Sequence, residues 1–122
     1  MNSHDFAALA AQNYNRIPVS LEVLADLETP ISVYRKLADG PYSYFFESVQ
    51  GGEKWGRYSI IGLPCCTLLK VYGKCTEIWV DGELTDSAEV EDPLAFAESF
   101  QQRYRTAPQA DLPVFHGGLV GY

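Results

Sequence analysis

Residues 41–63, PYSYFFESVQGGEKWGRYSIIGL, have the pattern of a β-hairpin and constrain the fold more than any other part of the sequence. Aromatic and β-branched residues, which favour strands, are frequent in residues 42–49, and an apolar pattern resumes over residues 55–63. Between them, residues 50–54 contain two glycines, which can adopt the positive φ of a tight turn. The sequence therefore predicts two paired antiparallel strands, with Trp55 and Tyr58 mostly buried.

Glu47 and Ser48 interrupt the apolar side chains of the first predicted strand. A carboxylate in such a strand needs a cationic partner. That partner is either internal, from Lys54 or Arg57 across the hairpin, or the ammonium group of a bound amino acid. In the second case Glu47 is the anion and Ser48 a hydrogen-bond donor, and an apolar slot for the ligand is formed by Phe46, Trp55, Tyr58 and Ile60. The residues alone leave both interpretations open.

Helix signals occur at three places. Ser3 is an N-cap candidate for an alanine-rich first helix that ends by Arg16. Thr29 followed by Pro30 predicts a helix near residues 30–38, and Asp92 followed by Pro93 predicts one near residues 93–104. In the last helix the aromatic residues recur at helical spacing, which is typical of a core-facing stripe: Phe96, Phe100 and Tyr104.

Further strands are predicted before and after the hairpin. Residues 17–25 are apolar and β-branched with a proline near the start, which favours an edge strand. Residues 67–72 and 76–80 are short strand candidates, and Asp81-Gly82 is a strong signal for a two-residue turn into a strand from Glu83. The prediction is an α+β fold, mainly antiparallel sheet with flanking helices, in one domain over residues 1–122.

Composition excludes several function classes. The chain has 122 residues, 47% of them apolar, with 16 acidic and 9 basic residues, so no basic patch for nucleic acid or an anionic membrane is expected. The three cysteines and two histidines match no zinc pattern, and we expect free thiols and no metal site. No apolar segment approaches the length of a membrane span. We expect a soluble, cytoplasmic protein without catalytic residues of its own.

Three ordered blocks resemble the N-terminal region of anthranilate synthase component I, a chorismate-utilising enzyme family. The first block is Phe45-Phe46-Glu47-Ser48, followed by Trp55-Gly56-Arg57-Tyr58-Ser59, which is similar to the Glu-Ser box and the Trp-x-Arg-Tyr-Ser strand of the family. Residues 15–37 are similar to the opening strand and helix of that family, and residues 116–122, HGGLVGY, resemble its glycine-rich element. The apolar end at Tyr122 further suggests a piece of a longer chain that lacks the chorismate-binding catalytic part.

The resemblance implies a full-length lyase that uses Mg²⁺ and converts chorismate and ammonia to anthranilate and pyruvate in tryptophan biosynthesis. A glutamine amidotransferase subunit, component II, supplies the ammonia. The N-terminal region would bind the feedback inhibitor L-tryptophan through Glu47 and Ser48, with Phe46, Tyr58 and Ser59 as neighbours, while residues 1–122 alone would be inactive. Two alternatives are an aminobenzoate synthase component I of the folate pathway and a free-standing β-rich module that binds small molecules or a protein.

Overall fold

A computed structural model describes residues 1–47 and 58–122. In chain order, the elements are α1 (Ser3–Ala11), α2 (Pro30–Leu37), β1 (Tyr44–Glu47), β2 (Ser59–Gly62), β3 (Thr67–Tyr72), β4 (Cys75–Val80), β5 (Glu83–Glu89) and α3 (Pro93–Gln102). The strands form a two-stranded sheet, β1-β2, and a three-stranded sheet in the order β3-β4-β5. Small antiparallel sheets flanked by helices confirm the predicted α+β class.

Helices α2 and α3 begin where the sequence predicts. The Thr29 side chain accepts a hydrogen bond from the backbone N–H of Ser32, and the Ser32 hydroxyl accepts one from the backbone N–H of Thr29. At α3, the Asp92 carboxylate accepts from the backbone N–H groups of Leu94 and Ala95. These bonds satisfy donors that a helix start leaves without an intrahelical partner. The Thr-Pro and Asp-Pro pairs were therefore sufficient to predict where these two helices begin.

The N-cap of helix α1 is Asn2 and not Ser3, the residue that was predicted, and Ser3 is the first residue of the helix. The Asn2 side-chain oxygen lies 2.8 Å from the backbone nitrogen of Asp5, and the Asp5 carboxylate accepts in return from the backbone N–H of Asn2. This reciprocal pair explains the difference, since it satisfies two donors where a lone Ser3 would satisfy one. The helix ends at Ala11, and Asn13 then adopts a positive φ of 68°.

Among the described residues, no strand occurs over residues 17–25, where an edge strand was predicted. Just before this segment, Arg16 forms an isolated parallel bridge with Thr106. Strand propensity reflects how well side chains fit a paired, half-buried surface, so it does not create a strand where a partner is missing. Val19, Leu21 and Val23 are instead exposed.

The predicted hairpin is confirmed as an antiparallel pair within the described residues. The register pairs Tyr44 with Gly62, Phe45 with Ile61, Phe46 with Ile60, and Glu47 with Ser59. The strands are shorter than predicted at their outer ends. Tyr42 adopts a positive φ of 58°, which belongs to a turn and not to a strand, and β2 ends at Gly62. The predicted turn over residues 50–54 lies outside the described residues.

The predicted meander follows. Asp81 and Gly82 have φ values of 51° and 80°, so both central residues adopt the positive φ that a two-residue type I′ hairpin loop requires. Along β4 the buried residues alternate, as Thr76 and Ile78 are buried while their neighbours are half-buried. The Thr76 hydroxyl donates to the Ala88 carbonyl at 3.1 Å, which satisfies a buried polar group within the sheet.

The chain divides into two compact units. The first comprises Met1–Val23, Val71–Thr76 and Ala88–Tyr122, and the second comprises Leu24–Lys70 and Glu77–Ser87. In the first unit, Phe100 is buried and its ring meets Tyr104 edge-on at 5.7 Å. The Arg16 guanidinium lies over the Tyr104 ring, 4.6 Å from its centroid. Of the predicted aromatic stripe, Phe100 is therefore buried, Phe96 is half-buried, and Tyr104 is half-buried just beyond the end of α3 at Gln102.

Asn15 fixes the segment after α1 to the end of α3 within the first unit. Its side-chain amide donates to the Arg103 carbonyl at 2.6 Å, and its side-chain oxygen accepts from the backbone N–H of Arg105 at 2.6 Å. The backbone N–H groups of Asn15 and Arg16 both donate to the Arg105 carbonyl, at 3.0 and 3.2 Å. One side chain thus acts as both donor and acceptor, which an asparagine amide can do and an aspartate cannot.

Candidate functional site

Glu47 and Ser59 form the last described pair of the β1–β2 ladder. Both residues are exposed. Directly opposed residues of an antiparallel pair project their side chains to the same face of the sheet, with Cβ atoms about 4.5–5.5 Å apart. A carboxylate and a hydroxyl are therefore brought together on an accessible surface at the end of β1.

The predicted site residues are divided between the two faces of the hairpin. Successive side chains of a strand point to opposite faces, so Glu47 shares a face with Phe45, while Phe46 shares the other face with Tyr44. The aromatic contacts agree, since the Tyr44 and Phe46 ring centroids are 5.0 Å apart. Phe46 and Glu47 therefore project to opposite faces of the β1–β2 pair.

Tyr58 differs from the prediction that it is mostly buried, because 63% of its surface is exposed. It lies one residue beyond Ser59, the last paired residue of β2, where the described ladder has ended. A side chain at the end of a two-stranded ladder has few strand neighbours to cover it. Ser48 and Trp55, together with Lys54 and Arg57 as internal partners of Glu47, lie outside the described residues.

Helix α2 supports the face of the hairpin that carries Glu47. The Tyr34 and Phe45 ring centroids are 5.9 Å apart, at a tilt of 54°. The Ser43 hydroxyl donates to the Gly40 carbonyl at 2.7 Å and lies 2.9 Å from the Tyr34 hydroxyl. Because a serine hydroxyl has one hydrogen, and the carbonyl accepts it, the Tyr34 hydroxyl is the donor in the second bond. This chain of bonds fixes the entry to β1.

On the opposite face of the hairpin, position 62 has no room for a side chain. A Cβ atom at this position would lie 1.9 Å from Cε1 of Tyr44, its partner in the ladder. No real Cβ contact is that short, so the Tyr44 ring occupies the space of the missing side chain. Neither residue was among the predicted site residues. An isolated glycine inside an apolar strand pattern is the signal that would have found the pair, since it indicates close approach of another group.

A small charged cluster joins Glu28, which precedes the N-cap of α2, to the last turn of that helix. Glu28 forms an ion pair with Lys36 and accepts a hydrogen bond from the Ser32 hydroxyl. The hydrogen bond from Lys36, followed by that from Ser32, holds the pKa of the Glu28 carboxyl below its ordinary value of 4.5. For Glu47, by contrast, no ion pair to another described residue occurs. Glu47 is exposed.

The cysteines Cys65, Cys66 and Cys75 are unbridged, as predicted. A hydrogen bond with the Asp81 carboxylate, reinforced by its charge, raises the pKa of the Cys66 thiol. The backbone N–H of Asp81 also donates to the Cys66 carbonyl at 2.9 Å. Within residues 1–47 and 58–122, no group of three His, Cys, Asp or Glu side chains is placed to hold a metal ion. Among the described helices, none has the length and apolar character that crossing a bilayer requires.

Comparison with known proteins identifies relatives along the entire sequence. Anthranilate synthase component 1 of Pseudomonas aeruginosa is 59% identical over 122 residues, which is 100% of this chain and 25% of that protein. The protein of the same name from Neisseria meningitidis serogroup B is 50% identical over 122 residues, again 100% of this chain and 25% of the relative. That of Acetivibrio thermocellus is 40% identical over 120 residues, or 97% of this chain and 24% of the relative.

This chain is a homologue of anthranilate synthase component 1. The resemblance found in the Glu-Ser box and the two flanking blocks is thereby confirmed. The chain spans 25% of the length of the Pseudomonas and Neisseria relatives that it matches. No protein-family model matches the chain. No solved structure matches it significantly.

Proposed function

We propose that this chain is the N-terminal, tryptophan-binding part of a full-length anthranilate synthase component I. The complete enzyme is a lyase that forms anthranilate and pyruvate from chorismate and ammonia, and L-tryptophan inhibits it. The relatives that bear this name support the proposal, since their identity of 40–59% extends along the chain. Chorismate, Mg²⁺ and the catalytic groups are assigned to polypeptide beyond residues 1–122, and the enzyme is cytoplasmic.

The observation that carries tryptophan binding is the exposed pairing of Glu47 with Ser59 at the end of the ladder. An amino-acid zwitterion requires an anion for its ammonium group and donors for its carboxylate. Glu47 provides the anion, and the hydroxyls of Ser48 and Ser59 are the donors nearest to it in the chain and in the ladder. Phe46 and Tyr58 are weaker candidates for contact with tryptophan. Phe46 projects to the opposite face from Glu47, and Tyr58 lies beyond the last described pair of the ladder.

Inhibition requires that tryptophan bind one conformation of the enzyme better than another, because a ligand shifts an equilibrium only by its differential affinity. The hairpin is well suited to report occupancy, since α2 fixes its entry through Tyr34 and Ser43 while its far end carries Glu47. A glutamine amidotransferase subunit, component II, is the proposed partner that supplies ammonia. The numbering "component 1" of the relatives supports the existence of a second subunit.

The test uses the full-length protein with its amidotransferase partner. Anthranilate is measured by its fluorescence, with chorismate, glutamine and Mg²⁺ supplied, while L-tryptophan is titrated. We expect anthranilate formation that tryptophan inhibits, and we expect Ser48→Leu to retain activity but lose inhibition, because the substitution removes the hydroxyl that we propose donates to the ligand and adds apolar bulk in its place. Ser99→Leu, which replaces an exposed serine in α3, is the control.

Three results would contradict the proposal. Formation of an aminobenzoate other than anthranilate would place the enzyme in the folate pathway. No turnover of chorismate would leave the hairpin as a binding module. Inhibition curves that coincide for the parent and Ser48→Leu would remove Ser48 from the tryptophan site.

A further inference from the structure

Residues 19–23 present an apolar row that is characteristic of a strand but lacks a strand partner in the described structure. Val19, Leu21 and Val23 are 71%, 86% and 70% exposed. They are separated by Ser20 and Glu22, so apolar and polar residues alternate with the period of a strand. Such alternation is expected of a strand with one face on a core and the other in solvent.

The backbone of this segment is available for pairing. Among the described residues, no hydrogen bond involves residues 19–24. The segment is anchored immediately before, where the Gln109 side-chain amide donates to the Pro18 carbonyl at 2.6 Å, and Pro18 itself has no N–H to donate. The free backbone groups and the apolar row therefore begin at the same residue. A row of unpaired N–H and C=O groups beside apolar side chains is a template for the addition of another strand.

We propose that residues 19–23 form a docking strand, and that a strand from the polypeptide following Tyr122 in the full-length protein pairs with it and covers Val19, Leu21 and Val23. We assign the partner strand to the following polypeptide because this chain spans only 25% of the length of relatives that are 50–59% identical to it. The proposal rests on the proposed function in so far as that function requires a longer polypeptide. The docking strand adds a specific contact by which the N-terminal region is attached to the remainder.

The side chains define the chemistry of the covering surface. Because the row contains no charge, the side chains that cover it are apolar, while Ser20 and Glu22 remain toward solvent. A second copy of this chain is the competing occupant. Pairing between copies would depend on protein concentration, whereas pairing within one polypeptide would not, and this difference decides between them.

The first experiment measures hydrogen–deuterium exchange in the full-length protein. We expect amides within residues 19–23 to exchange at least about tenfold more slowly than in the denatured chain, and we expect this protection to be unchanged on about a hundredfold dilution. Exchange at the denatured rate would overturn the proposal. Protection that is lost on dilution together with dissociation of a dimer would also overturn it, in favour of a second copy.

The second experiment compares substitutions on the two faces of the segment in the full-length protein. Leu21→Asp places a charge in the covered row, and Ser20→Asp places the same charge one residue away on the solvent face. We expect Leu21→Asp to abolish the protection and to lower the melting temperature by several degrees more than Ser20→Asp does. If Leu21→Asp does not fold, Leu21→Thr against Ser20→Thr makes the same comparison with β-branched residues, and the Leu21 variant is again expected to be the less protected.

Equal effects at positions 20 and 21 would contradict a one-sided docking strand. Failure of the proposed function is distinguishable, because it would appear in the wild-type protein as missing anthranilate synthesis or missing inhibition by tryptophan. Neither of those results depends on the exchange rates of residues 19–23.

Discussion

Tyr44 lies directly opposite Gly62 in the β1–β2 ladder, and its ring occupies the space that a side chain at position 62 would need. A Cβ on Gly62 would lie 1.9 Å from Cε1 and 2.3 Å from Cδ1 of Tyr44. Covering a glycine with a cross-strand aromatic ring compensates for the packing that the glycine lacks. The same ring lies 5.0 Å from Phe46, measured between centroids. One close approach thus fixes the face of the hairpin opposite to Glu47.

Gly62→Ala is expected to lower the free energy of unfolding by about 1–3 kcal/mol, the usual cost of forcing an extra methyl group into a packed site. Chemical denaturation of the full-length protein measures the change. Gly121→Ala is the control, because a Cβ there meets no atom within 4 Å. Tyr44→Ala should make the Gly62→Ala substitution nearly neutral, since it removes the ring that the methyl group displaces. An equal loss with and without Tyr44 would contradict this explanation.

Glu28 is expected to make α2 less stable as the pH falls. Its folded-state pKa is lowered from 4.5, chiefly by the hydrogen bond from Lys36 and then by that from Ser32. A depressed carboxyl pKa contributes stability that is present above the unfolded pKa and is lost as the pH falls through the folded one. Carbon-13 NMR titration of the Glu28 carboxyl should therefore give a pKa below 4.5.

Two variants isolate the cause of the Glu28 shift. Lys36→Gln should return the carboxyl pKa toward its ordinary value, and Glu28→Gln should remove this contribution to the pH dependence of stability. Because the Lys36 side chain is 63% exposed, added salt should weaken the shift. A Glu28 pKa that does not change in Lys36→Gln would show that the ion pair is not its cause.

The elements that were predictable from the sequence depend on local signals, and those that were not depend on partners distant in the chain. Thr29-Pro30, Asp92-Pro93 and Asp81-Gly82 act through neighbouring backbone groups, so the sequence contains all that is needed. Residues 17–25 have strand propensity, but a strand also requires a partner, and the described residues supply only the bridge at Arg16.

The candidate site was predictable to a similar extent. The hairpin and its antiparallel pairing followed from composition and glycine positions, whereas the pairing of Glu47 with Ser59 depends on a register that the turn length alone did not fix. The separation of Phe46 from Glu47 was available in principle, because adjacent strand residues always face opposite ways. Tyr58 was expected to be buried from its aromatic character, and its position beyond the ladder explains its exposure.

Cys66 is expected to become more reactive when Asp81 is neutralised. The hydrogen bond with the Asp81 carboxylate and its charge raise the pKa of the Cys66 thiol, and the thiolate is the nucleophile. In a protein that also carries Cys65→Ser and Cys75→Ser, Asp81→Asn should move the alkylation of Cys66 by iodoacetamide to lower pH. Asparagine tolerates the positive φ of 51° at position 81, so the turn should persist. Identical pH profiles for the two proteins would exclude the carboxylate as the cause.

Glu47→Gln is expected to weaken tryptophan binding to the full-length protein while leaving its stability nearly unchanged. If Glu47 meets the ligand ammonium, neutralisation removes a charge-assisted hydrogen bond of about 1.5–3 kcal/mol, which is roughly a ten- to hundredfold rise in the dissociation constant. If Glu47 instead pairs internally with Lys54 or Arg57, the loss appears in the melting temperature, as about 0–1 kcal/mol for an exposed pair. Glu83→Gln, an exposed strand carboxylate in β5, is the control. Calorimetric titration and thermal melts on the same three proteins separate the two roles, because unchanged affinity with a lowered melting point would make Glu47 a structural residue.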